Sequence, residues 1–177
     1  MGAPQIEVIE TAFNGIKYRS RTEARWAVFF DKLGWNAEYE AEGYDLDGQW
    51  YLPDFYVPEI NAFCLIKGNE FNYPEREKAR KLGILTQKNI LVLIGTPSPV
   101  SMKNMLFLPP ESQQAWLSAD PRKTNFWYLG NFSSNSSGEV YFERLTKGCL
   151  FIGETHSGCS VIDAFNAART ERFGVHD

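Results

Sequence analysis

Basic charge is in short supply in this chain: 18 Lys and Arg stand against 22 Asp and Glu, a formal net charge of −4. That balance excludes a protein held to nucleic acid by overall charge and leaves only a local basic face for such a role. Cysteine and histidine are scarce as well, with three and two copies. Cys64, Cys149 and Cys159 form an odd set, and the N-terminus MGAPQIEVIET has neither the basic start nor the apolar run of an export signal. Reduced thiols and a cytoplasmic location are the expectation. Cys149, His156, Cys159 and His176 include zinc-type donors, but their C-x6-H-x2-C spacing matches no common zinc module, so zinc is not expected. No apolar run approaches the roughly 20 residues of a membrane helix. Gly-rich phosphate loops, a Ser-His-Asp set, internal repeats and heptads are missing too, which removes the function classes that depend on them.

What is there suits one domain with a substantial core, 177 residues long and 15% aromatic. Phe13-Asn14-Gly15-Ile16 is a turn signal after a short N-terminal arm with a strand expected at Ile6 to Ile9. A helix follows to about Leu33, with Ser20 and Glu23 in capping-box spacing and Gly34 as its stop. Trp26, Ala27, Phe30 and Leu33 form its apolar stripe, and Glu23 lies one turn earlier on that stripe. Trp35 to Glu42 alternates as a half-buried strand does, and Asp47-Gly48 marks a tight hairpin. The segment PEREKARKLGILTQK reads as a helix with acidic residues first and basic ones after, suiting its dipole, with Gly83 weakening or ending it. Asn89 to Gly95 is a continuous apolar run, the mark of a strand covered on both faces. Beyond residue 96, prolines break the chain into short pieces. A long-looped hairpin is expected from Phe126–Leu129 and Glu139–Phe142, then a helix capped by Ser160, buried through Val161, Ala164, Phe165 and Ala168, and ended by Gly174.

The stretch WYLPDFYVPEINAFCLIKG, residues 50 to 68, carries the chemistry. It reads as two strands around a Pro-Glu-Ile-Asn turn. Alternation puts Leu52, Asp54 and Tyr56 on one face of the first strand, and Phe63, Leu65 and Lys67 on one face of the second. A carboxylate and an ammonium in an otherwise apolar hairpin call for a partner or a function.

Pro53-Asp54 followed by Lys67 on the next strand resembles the active-site hairpin of the PD-(D/E)XK nucleases, the restriction-endonuclease-like superfamily. SRTEARWAVFF likewise resembles the first core helix of many phage and bacterial proteins of that group. The resemblance covers residues 13–96 and implies an αβββαβ core with a mixed central sheet. Residues 97–177 add a C-terminal β-hairpin and helix to one α/β domain. It also implies action on DNA by metal-dependent phosphodiester hydrolysis. Asp54, Glu23 and the Ile66 carbonyl would hold Mg²⁺ or Mn²⁺, and Lys67 would be the catalytic cation.

The pattern departs from the family at one place: Leu65 stands where a second strand carboxylate belongs. An alkyl group offers a dication neither charge nor oxygen, so impaired or lost hydrolysis is expected. Glu23 has two open readings, helix cap and substitute acid. For the pair as a whole the plain reading is structural, with Asp54 and Lys67 neutralising each other and Leu65 packing against Phe63. Arg19 and Arg21, with Lys78 on the later helix, are candidates for a phosphate-contacting rim, and Tyr18 and Trp26 for base stacking if exposed. A silent relative would be a DNA- or protein-binding module, and in a phage setting an inhibitor of a host system.

Overall fold

A computed structural model of the chain describes residues 8–99, 105–108, 128–134, 136–137, 139–144, 149–154 and 158–174. The architecture is mixed α and β, built on a sheet of mixed orientation with helices on both faces. The first strands, β1 (Thr11–Phe13) and β2 (Ile16–Tyr18), form a hairpin. Its turn uses Asn14 at φ 47° and Gly15 at φ 77°, the left-handed conformations a two-residue hairpin turn demands. The strand expected at Ile6–Ile9 falls partly outside the described residues, and pairing starts at Thr11 instead.

Helix α1 (Arg21–Leu33) begins where the Ser20 hydroxyl accepts the Glu23 N–H and ends at Gly34, in the left-handed conformation at φ 73°. Trp26, Phe29, Phe30 and Leu33 are all buried, and the Trp26 indole N–H donates to the Gly95 carbonyl at 2.9 Å. Burial of Trp26 and Tyr18 removes both from any base-stacking role. Then come β3 (Glu38–Tyr39), the small hairpin of β4 (Tyr44–Asp45) and β5 (Trp50–Tyr51), β6 (Phe55–Val57) and β7 (Ala62–Lys67). Asp47 and Gly48 turn that small hairpin with φ 57° and 85°.

Helix α2 (Tyr73–Thr86) is capped by the Asn72 side chain accepting the Glu75 N–H. It runs on through Gly83 rather than ending there. Gly83 is buried beside Leu82 and Ala79, and packing along that stripe outweighs the roughly 1 kcal/mol a helical glycine costs. β8 (Asn89–Ile94) follows and pairs in parallel with β7, the crossover being α2.

The remaining strands are β9 (Met105–Leu108), β10 (Tyr128–Ser134), β11 (Glu139–Arg144) and β12 (Cys149–Glu154). β10 and β11 form the expected hairpin, but the hairpin is no separate appendage. β9 joins it to β8 and β12 adds an outer edge strand beside β11, giving eight strands in the order β12-β11-β10-β9-β8-β7-β6-β3. Residues 115–117, His156 and His176 lie outside the described residues, while Cys64 and Cys159 are free thiols.

Alternation along β7 and β8 divides the core. Ala62, Cys64, Leu91 and Leu93 face α1 and the last helix, α3 (Val161–Thr170), whose Val161, Ala164, Phe165 and Ala168 are buried there. Phe63, Leu65, Ile90 and Val92 face the opposite way, against Ala79 and Leu82 of α2, Phe71, and Leu46 from the small hairpin. α3 starts with a complete capping box of Ser160 and Asp163. It stops at Thr170, earlier than Gly174, because Arg25 of α1 donates to the Ala168 and Arg169 carbonyls. The chain then runs extended and sets Phe173 edge-on to Phe13, ring centroids 6.4 Å apart. Among the described residues no helix is long and apolar enough to cross a membrane.

Candidate functional site: a cleft where two strands part

The β6–β7 ladder is antiparallel from Val57↔Ala62 to Phe55↔Cys64. Asp54, the residue before β6, takes over where that ladder stops: its Oδ2 accepts the Ile66 N–H at 2.8 Å. The backbone donor that would otherwise lack a strand partner is thus satisfied by a side chain. A residue's N–H and C=O point to the same side of a strand, so the Ile66 carbonyl also faces this gap. On the other side, the Asp54 carbonyl accepts the Glu40 N–H at 3.0 Å and continues the β3 pairing.

An open cleft of about 430 Å³ lies over the gap. Arg19, Glu23, Asp54, Ile66 and Lys67 line it, together with Tyr51 and Leu52 from the small hairpin and Val8. Five positions singled out from the sequence thus share one cavity, although they come from three separate stretches of chain. Arg21 is exposed at the start of α1 and Lys78 is half-buried on α2; neither lines the cleft.

Each charged group in the cleft is held. Arg19 donates from Nη2 to Asp54 Oδ1 at 2.9 Å, and its Nε lies 2.6 Å from Glu40 Oε1. Glu23 accepts from the Ser20 hydroxyl at 2.9 Å and from the Tyr39 hydroxyl at 2.6 Å. The capping box expected of Glu23 is half made: the Ser20 hydroxyl accepts the Glu23 N–H, but the Glu23 carboxylate takes the Ser20 and Tyr39 hydroxyls at the edge of the cleft. The same Tyr39 oxygen accepts the Arg19 N–H at 3.0 Å, tying β3 to the start of α1. Burial first, and then the bond to Glu23, push the Tyr39 hydroxyl up to about 12, so it stays a neutral donor. Tyr39→Phe is expected to cost about 2 kcal/mol in urea unfolding, because it strips a charged acceptor and a backbone donor of one partner each.

Asp54 and Lys67 do not pair with each other. The Lys67 ammonium lies 3.0 Å from Glu75 Oε1 in the first turn of α2. This correction to the structural reading of the hairpin follows from strand geometry. Lys67 and Leu65 project toward α2, where Leu65 does pack with Phe63, while the Asp54 carboxylate is drawn between the parting strands by Ile66. Burial raises the Asp54 carboxyl to about 6 against the pull of the Ile66 N–H, Lys67 and Arg19, with Glu23 adding to the rise. Burial wins although Arg19 is close, because that guanidinium side chain is 57% exposed and water screens it.

Sequence reading missed Tyr39, Glu40 and Glu75. The alternation of residues 35–42 placed Tyr39 and Glu40 on opposite faces without showing what they meet. Glu75 looked like an ordinary first-turn acid suited to the helix dipole.

Four carboxylates, from Glu23, Asp54, Glu40 and Glu75, meet two cations, Arg19 and Lys67, at or beside the cleft. The formal excess is two negative charges at neutral pH. Mg²⁺ keeps several waters and needs one or two carboxylates, and Glu23 and Asp54 are the two that line the cleft, each already bound to protein donors. Leu65 contributes nothing to it, and among the described residues no group of three or more His, Cys, Asp and Glu side chains could hold a metal ion. Compared with family models, with curated proteins and with solved structures, the chain matches none. The class that fold and site define on their own terms is a mixed α and β protein with a carboxylate-rich cleft at a sheet opening.

Proposed function

We propose that the chain is a PD-(D/E)XK-type nuclease-fold protein that engages DNA at this cleft and hydrolyses phosphodiesters weakly or not at all. The observation that carries the reading is the convergence of Glu23, Asp54, Ile66 and Lys67 on one open cavity. Asp54, Glu23 and the Ile66 carbonyl are the groups that would hold Mg²⁺ or Mn²⁺, which supplies charge neutralisation on the phosphate and a more acidic bound water. The protein's own groups do the rest. Asp54 is ionised above about pH 6 and anchors the β7 backbone at Ile66. Tyr39 keeps Glu23 aimed into the cleft. Lys67 presents an ammonium to a phosphate oxygen, where positive charge stabilises the negative charge that develops in displacement.

Leu65 and the Arg19–Asp54 ion pair favour a second reading, a catalytically silent module for DNA or for a protein partner. The two separate in one assay. Supercoiled, linear and single-stranded DNA are incubated with Mg²⁺ and with Mn²⁺, with Asp54→Ala and Glu23→Ala beside the parent. Slow, metal-dependent nicking lost in both variants is expected on the first reading. Salt-dependent binding with no nicking supports the silent module. Fast cleavage that survives Asp54→Ala would overturn the assignment of this cleft as the site, and no DNA binding at any salt would overturn the nucleic-acid reading altogether.

A further inference from the structure

Lys67 is the one cation of the cleft that a helix on the far side of the sheet controls. Its side chain is 17% exposed and that of Glu75 is 31%, and their charged atoms are 3.0 Å apart. A partly buried pair at that distance is screened far less than a surface pair. Glu75 is itself fixed, because its backbone N–H is the donor that Asn72 caps. Arg19, the other cation, is likewise held, by Asp54 and Glu40. Every positive charge that a phosphate would meet in the cleft already has a carboxylate on it.

We propose that Glu75 is the residue that sets the affinity of the cleft for phosphate, by holding the Lys67 ammonium as an internal counter-ion. The proposal rests on the reading of the cleft as a phosphodiester site and adds the residue that tunes it. An incoming phosphate takes Lys67 from Glu75 and leaves that carboxylate, in the first turn of α2, without its cation. The exchange offsets most of the attraction that a free lysine would provide. The relation is electrostatic and involves no bond making. It accounts for a cleft that carries two cations yet has an acidic balance.

The test is a double-mutant cycle on phosphate binding. Affinity for a fluorescently labelled oligonucleotide is measured by anisotropy across a range of salt for the parent, Glu75→Gln, Lys67→Gln and the double variant. Glu75→Gln keeps the Asn72 cap, which uses the backbone N–H, so the fold is retained. Glu75→Gln is expected to bind several-fold tighter than the parent, with a salt slope steeper by about one, the signature of one more phosphate contact. In the Lys67→Gln background the gain disappears. An equal gain in both backgrounds, or none in the parent background, overturns the proposal.

If no variant binds the oligonucleotide, the DNA reading falls on its own. The counter-ion is then read with inorganic phosphate in thermal unfolding. A larger phosphate-induced rise in Tm for Glu75→Gln than for the double variant upholds the proposal, and equal rises overturn it.

Discussion

Leu65→Glu is expected to lower the free energy of unfolding by roughly 3–5 kcal/mol and to leave DNA cleavage no faster than in the parent. Residue 65 is fully buried on the α2 face of β7, among Phe63, Phe71, Leu82 and Val92. A carboxylate there has no polar neighbour within its own cluster, and it must either ionise in an apolar interior or stay protonated at a cost. Lys67 lies two residues along the same face, about 7 Å away by strand rise, and is already engaged by Glu75. Leu65→Met supplies the control, an apolar change of similar volume expected to cost under about 1.5 kcal/mol. Denaturant midpoints give the comparison. A Leu65→Glu protein as stable as the parent, with new metal-dependent cutting, would mean that position 65 reaches the cleft after all.

Asp54→Asn is expected to stabilise the protein by about 3 kcal/mol at pH 8 and by nothing below pH 4. The folded-state carboxyl sits at about 6 and the ordinary value is 3.8, a difference of roughly two pH units at about 1.4 kcal/mol each. The sign follows from which state binds the proton more tightly. With the folded value raised, the folded state holds its proton more firmly. The contribution of Asp54 is therefore most favourable below the unfolded value, is lost as pH rises from about 4 to about 6, and stays unfavourable above that. Asparagine keeps an oxygen for the Ile66 N–H, and the pull of the exposed Arg19 on the carboxylate is already contained in the value of about 6. Unfolding curves at pH 4, 6 and 8 for both proteins measure the effect. A parent whose stability rises across that range relative to Asp54→Asn would show that ion pairing dominates burial.

Much of the local structure could be read directly. Ser20, Asn14-Gly15, Gly34, Asp47-Gly48 and the Ser160 cap each act within a few residues, and each sits at the boundary its chemistry implies. The apolar run from Ile90 to Leu93 likewise becomes a strand buried on both faces. Where local signals conflicted with packing, packing prevailed. Gly83 lies inside α2, and α3 ends early because Arg25, more than a hundred residues away in sequence, takes its last carbonyls.

The site divides in the same way. Which charged residues gather at the cleft was legible in part from type and spacing: Asp54 and Lys67 in one hairpin stretch, Glu23 on the preceding helix, and no acid at 65, although Asp54 lies just before β6 and not in the strand expected to carry it. The sequence by itself determined that inventory, the three helices and the buried strand β8, because these depend on side-chain type and on local periodicity, whereas β1, β2 and β12 were not foreseen. Only the tertiary structure decided the pairing. It gave Asp54 to Arg19 and Ile66, Lys67 to Glu75, and Glu23 to Tyr39. The physical reason is that a charge near a low-dielectric interior takes the nearest counter-charge in space. Nearness there was set by where β6 and β7 part and by which face of the sheet α2 covers, neither of which is written in any local stretch of the chain.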